Sequence, residues 1–462
     1  MQWDREKAGN RQKVQDELLK EYLLHHVYPY SPFYRRRFEA GKIVPKNITG
    51  LGDLTKLEPT GWNEVEAEPG AFVLRPTERA IARFGDRRLV MAITKAKLRG
   101  KVAELNRDLI DPAYKPIHWH LDGDIPIGYS GEDVQRLGEA GRRVLQLAQV
   151  SRDDVLVGLA APGPSIAYWQ LVEGARVSGV SAIHLGPDVG RERIEAAAPT
   201  VLAGSAEGVG AVLSAFESAK RRLPGLRTLL CLGDAVAEST RDSLRTLGRR
   251  LGEGDLELVS AWAPSGVRAL WGECRGGRGF HTYPDLEWLE TLADGELAWT
   301  SLAWHGSAFL RLKTGVRATL DDSGCPTCGR IGPRVVVGAL APAAPARPAP
   351  ARPAPARTPA ATRVEEEEAE LVAAGDGAAA PKRAWNLEVL DEHPAVAAWA
   401  VELRRVDGAE ELIVFVAPAG IDRLAPLFRE LDATLAATQY VVERPEQVRA
   451  RVDRDGAVRD LR

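Results

Sequence analysis

The chain has 462 residues, of which 45% are hydrophobic and 27% are charged. At about 150 residues per domain this length predicts two or three domains with sizeable cores. The 61 Lys and Arg residues nearly balance the 64 Asp and Glu residues, for a net charge of −3, which excludes an overall basic surface for nucleic acid. The first residues are polar, and no run approaches the roughly 18 apolar residues of a membrane span. We therefore expect a cytoplasmic protein with no nucleic-acid partner and no membrane partner.

The first predicted element is a helix, because apolar side chains recur at helical spacing between Val14 and Val27. From about residue 133, amphipathic helical segments alternate with short apolar runs that end in glycine, such as SAIHLG, PTVLAG and RTLLCLG. This alternation predicts parallel βαβ units, which bind ligands at the carboxyl ends of their strands. After about residue 255, the runs LELVSAW, LEWLETL, GELAWTSL and AFLRLKT predict antiparallel sheet.

A change in composition divides the chain. Residues 341–363 carry proline at every second or third position, which is incompatible with the interior of a helix or a sheet. An acidic run follows over 365–370, and it is either a solvated spacer or a segment that binds a partner. We predict a body over residues 1–340, a disordered linker over 341–381 and a small α+β domain over 382–462.

Three of the four cysteines lie close to one histidine in the sequence. Cys325 and Cys328 form a C-x-x-C motif in a Gly- and Pro-containing turn, and Cys274 precedes His281 by seven residues. These four side chains predict a closed, tetrahedral, structural zinc site. A redox dithiol and a turn without metal are the alternatives, although a redox motif is expected at the start of a helix. The fourth cysteine, Cys231, lies in an apolar run and is predicted to be a core thiol.

The segment YSPFYRRRFEAGKIVPKNITGLGDLTKLEPT resembles the N-terminal signature of phenylacetate–CoA ligase-like proteins, in the adenylate-forming superfamily. The resemblance continues through APTVLAG, RTLLCLGDAV, GELAWTSL, FLRLKTG and CPTCGR. It implies an α/β fold with a large multi-sheet N-terminal domain and a small C-terminal domain. It also implies ATP-dependent conversion of a carboxylate to an acyl-adenylate, followed by transfer to coenzyme A. A zinc subsite at about 270–330 is a further implication.

The phosphate-binding loop of that family is the first point of departure. A Ser-, Thr- and Gly-rich loop is expected there, but this chain reads HWHLDGDIPIGYS. A phosphate cradle needs small residues and free backbone N–H groups. Trp119 is bulky, and Asp122 and Asp124 repel a triphosphate.

Three further family motifs lack their functional side chain. Gly266 stands where the resemblance expects the acid that holds Mg²⁺, and Val316 stands where it expects the Asp that binds the ribose hydroxyls. Ala457 takes the position of the catalytic Lys. Because removal of one transition-state contact costs about 10²–10³ in rate, these losses together predict a chain that no longer adenylates.

Four positions remain candidates for residual contact with a nucleotide. Gly233 and Asp234 match the family's adenine-side loop, Ser265 stands for the Thr of the Tyr-Gly-x-Thr-Glu motif, and Thr314 lies in the altered ribose motif. The cofactor prediction is therefore structural zinc, with binding of ATP and Mg²⁺ in doubt.

Two other segments carry features with more than one interpretation. His118, His120, Asp122 and Asp124 alternate, so on a strand all four share one face and form a candidate metal or catalytic set; the alternative is a solvated loop. The stretch 79–101 is rich in Lys and Arg and is either an anion- or partner-binding patch or a solvated amphipathic face.

The sequence as a whole predicts a phenylacetate–CoA ligase-like protein that has lost carboxylate adenylation and acts as a non-catalytic binding, scaffold or regulatory protein. One alternative is an active carboxylate–CoA ligase with atypical ATP contacts. A second alternative is an acyl-CoA sensor or carrier. The expected partners are a small carboxylate, an acyl-CoA or another protein.

Overall fold

The computed structural model describes residues 7–337 except 86, 234 and 278, and then residues 396–406, 409–418, 439–442, 448 and 458–460. The chain divides into two compact units, Met1–Ala354 and Pro355–Arg462. The linker predicted at 341–381 and the predicted helices of the C-terminal domain lie outside the described residues.

Short helices dominate the N-terminal part of the first unit. They are α1 (Ala8–Tyr22), α2 (Tyr28–Tyr30), α3 (Pro32–Ala40), α4 (Leu51–Leu54), α5 (Trp62–Ala67), α6 (Glu78–Phe84), α7 (Arg87–Leu98), α8 (Val102–Leu105) and α9 (Asp111–Tyr114). The predicted first helix is confirmed as α1, which continues through a π-helical segment at Leu23–Val27 into α2. A second π-helical segment, Asn106–Ile110, joins α8 to α9.

An antiparallel hairpin follows these helices. Strands β1 (Pro116–Asp122) and β2 (Ile125–Ser130) pair directly with each other. The hairpin turn includes Gly123 at a φ of 62°, a left-handed conformation that suits glycine. The segment HWHLDGD, predicted to be either a strand or a loop, is therefore a strand that ends in this turn.

Alternating strands and helices then build the body as the sequence predicts. They are α10 (Gly131–Leu147), β3 (Val155–Gly158), α11 (Ile166–Ser178), β4 (Ser181–His184), α12 (Arg191–Ala197), β5 (Val201–Gly204), α13 (Ala206–Ser218), β6 (Thr228–Leu232), α14 (Glu238–Leu251) and β7 (Glu257–Trp262). Strands β3, β4, β5, β6 and β7 pair in parallel. The prediction of antiparallel pairing for the run LELVSAW is wrong on one side, because this run forms β7, which pairs in parallel with β6.

The large sheet is completed by β8 (Trp271–Gly272), β9 (Phe280–His281), β13 (Thr319–Asp321) and β14 (Arg334–Val336). Its nine strands run in the order β13-β14-β9-β8-β7-β6-β5-β3-β4, and pairing becomes antiparallel from β7 to β13. Strand β7 is therefore the point at which the sheet changes from parallel to antiparallel.

A separate antiparallel sheet contains β10 (Glu287–Thr291), β11 (Glu296–Ser301) and β12 (Leu312–Arg317). These strands confirm the antiparallel prediction for this region. The run AFLRLKT is shorter as a strand than predicted and begins only at Leu312. Arg311 has a φ of 49°, and a non-glycine residue in this left-handed conformation interrupts an extended strand.

A buried carboxylate, that of Glu287, links the large sheet to the β10–β12 sheet. Both carboxylate oxygens of Glu287 accept indole N–H bonds of 2.6 Å, from Trp271 and Trp299, and the backbone N–H of Tyr283 also donates to it. Burial raises the pKa of Glu287 to about 7, although the three donors oppose the shift. Complete hydrogen bonding is what allows this polar group to remain in the core.

The described strands of the second unit form one mixed sheet. Its strands are β15 (Val396–Val406), β16 (Ala409–Pro418), β17 (Gln439–Val442) and β18 (Val458–Asp460), in the order β17-β16-β15-β18. The central pair, β15 and β16, is antiparallel, and the two outer strands add in parallel. The two strands predicted after the linker are confirmed.

Candidate functional site

The four predicted metal ligands converge on one point. The ligand atoms of Cys274, His281, Cys325 and Cys328 all lie within 4.8 Å of one another. Cys274 Sγ is 3.7 Å from Cys325 Sγ, and Cys328 Sγ is 3.5 Å from His281 Nε2. A tetrahedral zinc with Zn–S bonds of about 2.3 Å separates its sulfur ligands by about 3.8 Å. The 3.7 Å between Cys274 Sγ and Cys325 Sγ therefore matches the spacing of two zinc ligands.

Two glycine-containing turns hold the sulfur ligands in place. In the first, Gly277 N donates to Cys274 O, and in the second, Gly329 N donates to Cys325 O at 2.9 Å. Gly329 has a φ of 70°, which favours glycine after the C-x-x-C pair. His281 is supplied by the short strand β9, so the cluster connects the large sheet to the loop between β13 and β14.

The cluster is closed to solvent on most sides. Cys274, Cys325 and His281 are buried, and Cys328 is half-buried. Burial and the neighbouring thiols raise the pKa of Cys274 to about 12. Burial also opposes ionisation of Cys325, but backbone N–H groups in its turn outweigh it and lower the pKa of Cys325 to about 7. A divalent cation would hold such crowded sulfurs together as thiolates.

The alternatives to a metal fit this geometry less well. All four cysteines are free thiols, and the 3.7 Å between Cys274 and Cys325 is far beyond the roughly 2.05 Å of a disulfide. Residues 326–328 form a turn rather than the start of a helix, so the redox context is missing. Cys231, predicted to be a core thiol, is fully buried in β6.

Sequence reasoning missed one residue that positions this cluster. Arg11 of α1 is 5% exposed, and its guanidinium donates to Ile331 O at 2.7 Å and to Asp322 Oδ1 at 2.9 Å. These two contacts lie on either side of the C-x-x-C pair. No local sequence signal could have identified Arg11, because its partners are more than 300 residues away along the chain.

Two of the four nucleotide candidates lie at the same sheet edge. Gly233 follows β6 with a φ of 98°, and the exposed Ser265 lies shortly after the neighbouring strand β7. Thr314 belongs to β12, and its hydroxyl is already used, since it donates to Leu297 O at 2.7 Å. Asp234 lies outside the described residues.

The position that the resemblance assigns to a metal-binding acid is tightly enclosed. Gly266 is buried and has a φ of 79°. A Cβ at this position would lie 2.3 Å from Leu312 Cδ2 and 2.9 Å from Trp62 Cζ2. No acidic side chain can therefore occupy this position without displacement of its neighbours.

The β1–β2 hairpin stands where the family's phosphate loop is expected. Its tip contacts two loops that follow parallel strands: Asp122 Oδ2 accepts a 2.6 Å bond from Gly266 N, and Leu121 N donates to Pro164 O. Backbone groups that could receive phosphate oxygens are thus bonded within the protein. These residues do not fit a triphosphate with Mg²⁺ in the manner that the resemblance implies.

The His and Asp residues of this hairpin do not form one cluster. His118 and His120 are neighbours, with ring centroids 4.7 Å apart, and burial lowers the pKa of both. Asp122 instead bonds Gly266, and Asp124 is exposed. Among the described residues, the only group of three or more potential metal ligands is the Cys–His cluster.

Comparison of the sequence alone identifies no relative. No family profile matches the sequence, and no curated protein matches it. Within the part of the chain that the structure describes, no helix combines the length and apolar character needed to cross a membrane.

Solved structures of a 2-hydroxyisobutyryl-CoA ligase are similar to this chain. The ligase with 2-HIB-AMP and CoA in the thioesterification state has a TM-score of 0.57 at 15% identity, and the match covers 100% of this chain and 91% of the ligase. Its postadenylation state with 2-HIB-AMP gives the same values. An open conformation with both ligands gives a TM-score of 0.56 at 15% identity and covers 72% of this chain and 75% of the ligase. At this identity the likeness shows the fold alone, and it confirms the predicted adenylate-forming fold.

Proposed function

We propose that this chain is a zinc-stabilised protein of adenylate-forming fold that does not adenylate carboxylates and acts as a non-catalytic binding protein. Its ligand would be a small carboxylate, an acyl-CoA or a protein partner. The observation that carries this proposal is the enclosure of Gly266 by Leu312 and Trp62. An enzyme that activates ATP usually holds its metal near the phosphates with a carboxylate, and a carboxylate side chain at this position would have to displace Leu312 and Trp62.

The hairpin and the ribose position support the same conclusion. The hairpin tip bonds the backbone of the β7 loop through Asp122, so it takes up donors that a phosphate would need. Val316 has no group that can accept the ribose hydroxyls, and its side chain packs against the main core.

ATP–pyrophosphate exchange, measured over a broad panel of carboxylic acids, tests the proposal directly. The similar 2-hydroxyisobutyryl-CoA ligase serves as the positive control under the same conditions. We expect no exchange above the protein-free background with any acid. Robust exchange that depends on one acid would contradict the proposal.

A second candidate function is an active ligase with a relocated acid, and one contact favours it. The carboxylate of Asp122 lies 2.6 Å from Gly266 N, close to where the missing acid is expected. If Asp122 replaces that acid, any exchange activity should fall by about 10²-fold or more in Asp122→Asn. Asp124→Asn, a change at an exposed residue of the same hairpin, is the matched control.

Ligand binding without catalysis is tested by thermal shift. An acyl-CoA sensor or carrier would be stabilised by acyl-CoAs at concentrations where ATP and AMP have no effect, because a ligand that binds only the folded state raises its stability. Stabilisation by ATP or AMP instead would support residual nucleotide binding at Gly233 and Ser265.

The proposed zinc site is tested by metal analysis of the purified protein. We expect about one equivalent of zinc per chain. Cys325→Ser with Cys328→Ser should remove the metal and lower the melting temperature, because binding free energy of a structural zinc contributes to folding. Cys231→Ala, at the cysteine outside the cluster, should retain it. Unchanged metal content in the double variant would refute the site.

A further inference from the structure

Helix α7 has apolar side chains on both its inner and its outer side. Ile93 and Ala96 are each 8% exposed and face the body of the protein, whereas Met91 is 63% and Leu98 is 85% exposed. Leu98 is the most exposed large hydrophobic side chain in the described part of the chain. Single exposed apolar residues are common on protein surfaces, but two on one outer face of a helix need a further reason.

The two exposed apolar side chains lie on one stripe of α7. Seven residues correspond to two helical turns, so Met91 and Leu98 lie about 10 Å apart along the same face. Arg87, Thr94 and Lys95 are also exposed and occupy neighbouring positions on that face. We call the set Arg87, Met91, Thr94, Lys95 and Leu98 the outer α7 face.

Several exposed cations lie near this face along the chain. Arg79, Arg83, Lys97, Arg99 and Lys101 are exposed on α6, on α7 and directly after it. Glu78 pairs with Lys97, and Glu104 pairs with Lys101. Among the described residues, no acidic side chain lies within ion-pair distance of Arg87, Lys95 or Arg99. The region is therefore locally cationic in a chain whose net charge is −3.

We propose that the outer α7 face binds the surface of an anionic phospholipid bilayer. Met91 and Leu98 insert at the boundary between headgroups and acyl chains, and the surrounding Lys and Arg contact anionic headgroups. A basic helix with apolar residues on its lipid side lies in the plane of the interface and needs no spanning segment. Each cation near such a surface adds electrostatic attraction.

The combination of side chains favours this partner over a nucleic acid. Phosphate backbones are bound through cationic and polar groups, which leaves the exposure of Met91 and Leu98 unexplained. The proposal goes beyond the function proposed above and does not depend on it. It also differs from the expectation of no membrane partner, which rested on the lack of a spanning run.

Co-sedimentation of the full-length chain with sucrose-loaded vesicles tests the proposal. One set of vesicles contains phosphatidylcholine alone, and the other contains phosphatidylcholine and phosphatidylglycerol at about 2:1. We expect binding to the anionic vesicles only, with marked weakening between about 0.1 M and 0.5 M salt. Met91→Ser with Leu98→Ser should lower the partition coefficient about tenfold or more. Lys95→Glu with Arg99→Glu should lower it at least as much.

A matched control replaces two exposed apolar residues elsewhere. Val44 is 52% and Ile183 is 39% exposed, and Val44→Ser with Ile183→Ser should leave vesicle binding unchanged. Circular dichroism of each variant confirms that it is folded.

Equal binding to both vesicle types, or binding to neither, overturns the proposal. If the chain binds single-stranded RNA, and Met91→Ser with Leu98→Ser leaves that affinity unchanged, the membrane proposal is overturned in favour of a nucleic-acid partner. If the chain dimerises but does not bind vesicles, and Met91→Ser with Leu98→Ser abolishes the dimer, the proposal is overturned in favour of a second copy of the chain.

Discussion

Gly277 leaves the space that the thiol of Cys274 occupies. A Cβ at position 277 would lie 2.2 Å from Cys274 Sγ, which is far inside van der Waals contact. We predict that Gly277→Ala displaces this ligand and lowers the zinc content to below roughly half an equivalent, because a structural site needs all four ligands. Atomic absorption on the purified variant measures the result.

Gly254→Ala is the control for this substitution. Gly254 is exposed, and a Cβ there would meet no atom within 4 Å, so this variant should retain its zinc and its melting temperature. A full equivalent of zinc in Gly277→Ala would show that the sulfur at position 274 does not bind the metal.

His305 gives the protein a predictable sensitivity to acid. Its ring is buried and stacks on His26 with ring centroids 4.3 Å apart. Burial, with a smaller contribution from nearby positive charge, lowers the pKa of both rings to about 3. In the unfolded chain a histidine takes up a proton near pH 6.5. The unfolded state therefore binds more protons between about pH 6.5 and 3, and stability falls as the pH drops through this window.

We predict that His305→Phe makes this loss of stability shallower. Phenylalanine keeps a ring in the stack but cannot titrate. The slope of the free energy of unfolding against pH should therefore fall by about 1.4 kcal/mol per pH unit below pH 6. Urea unfolding at pH 7, 6 and 5 measures the free energy of unfolding. His25→Phe, at the exposed histidine next to His26, is the control. The same pH dependence in His305→Phe and the unaltered protein would contradict the prediction.

The sequence predicted the cluster of three cysteines and one histidine but not the residues that support it. Thiols and an imidazole at short spacing are rare enough to indicate a site by themselves. The role of Gly277 depends on the path of one turn, and that of His305 depends on contacts with Tyr114, Tyr22 and His26. Such contacts form only when distant segments pack, and no local pattern specifies them.

At the scale of elements, helix α1 contacts the loop that carries Cys325 and Cys328 through one side chain, Arg11. Arg11 donates to Ile331 O and to Asp322 Oδ1, so it holds the loop on both sides of Cys325 and Cys328. We predict that Arg11→Ala speeds the release of zinc to a chelator about tenfold, because residues that support metal ligands typically affect affinity by 10- to 100-fold. A chromogenic chelator follows the release in real time.

Arg36→Ala is the matched control for the loss of an arginine. Arg36 forms an ion pair with Glu68, and both side chains are 55% exposed, so its removal should not alter zinc release. Equal release rates in Arg11→Ala and the unaltered protein would mean that α1 has no influence on the loop of Cys325 and Cys328.

Periodicity predicted the elements better than their pairing. The alternation of apolar runs and helices correctly indicated the parallel strands β3 to β6. It misassigned β7, since a strand at the change from parallel to antiparallel pairing has one neighbour of each kind. It also began β12 too early, because the left-handed conformation of Arg311 leaves no trace in the hydrophobic pattern.

At the scale of the whole molecule, the fold and its chemistry have separate origins in the sequence. Apolar periodicity determines the adenylate-forming fold, which this chain shares with a ligase at 15% identity. A handful of side chains determine the chemistry, and at two positions where the resemblance expects functional acids this chain has the buried Gly266 and the partly buried Val316. A shared fold therefore does not by itself imply a shared chemistry.

The composition of residues 341–381 leads to a prediction about the complete chain. Repeated proline removes backbone donors and fixes φ, and the acidic run repels itself, so we expect this linker to be cut first in limited proteolysis. Glu-C should cut first within residues 365–370. Trypsin should cut first at Arg357 or Arg363, because Arg347 and Arg352 precede proline. Mass spectrometry of the products identifies the sites.

A variant of the acidic run makes this test specific. It carries Gln in place of Glu365, Glu366, Glu367, Glu368 and Glu370. It should resist early cleavage by Glu-C while trypsin still cuts at Arg357 or Arg363, because accessibility of the linker, not its charge, exposes both sets of sites. The large fragment should retain its zinc, since all four ligands precede residue 341. First cleavage within residues 7–337 would show that the linker is better protected than its composition predicts.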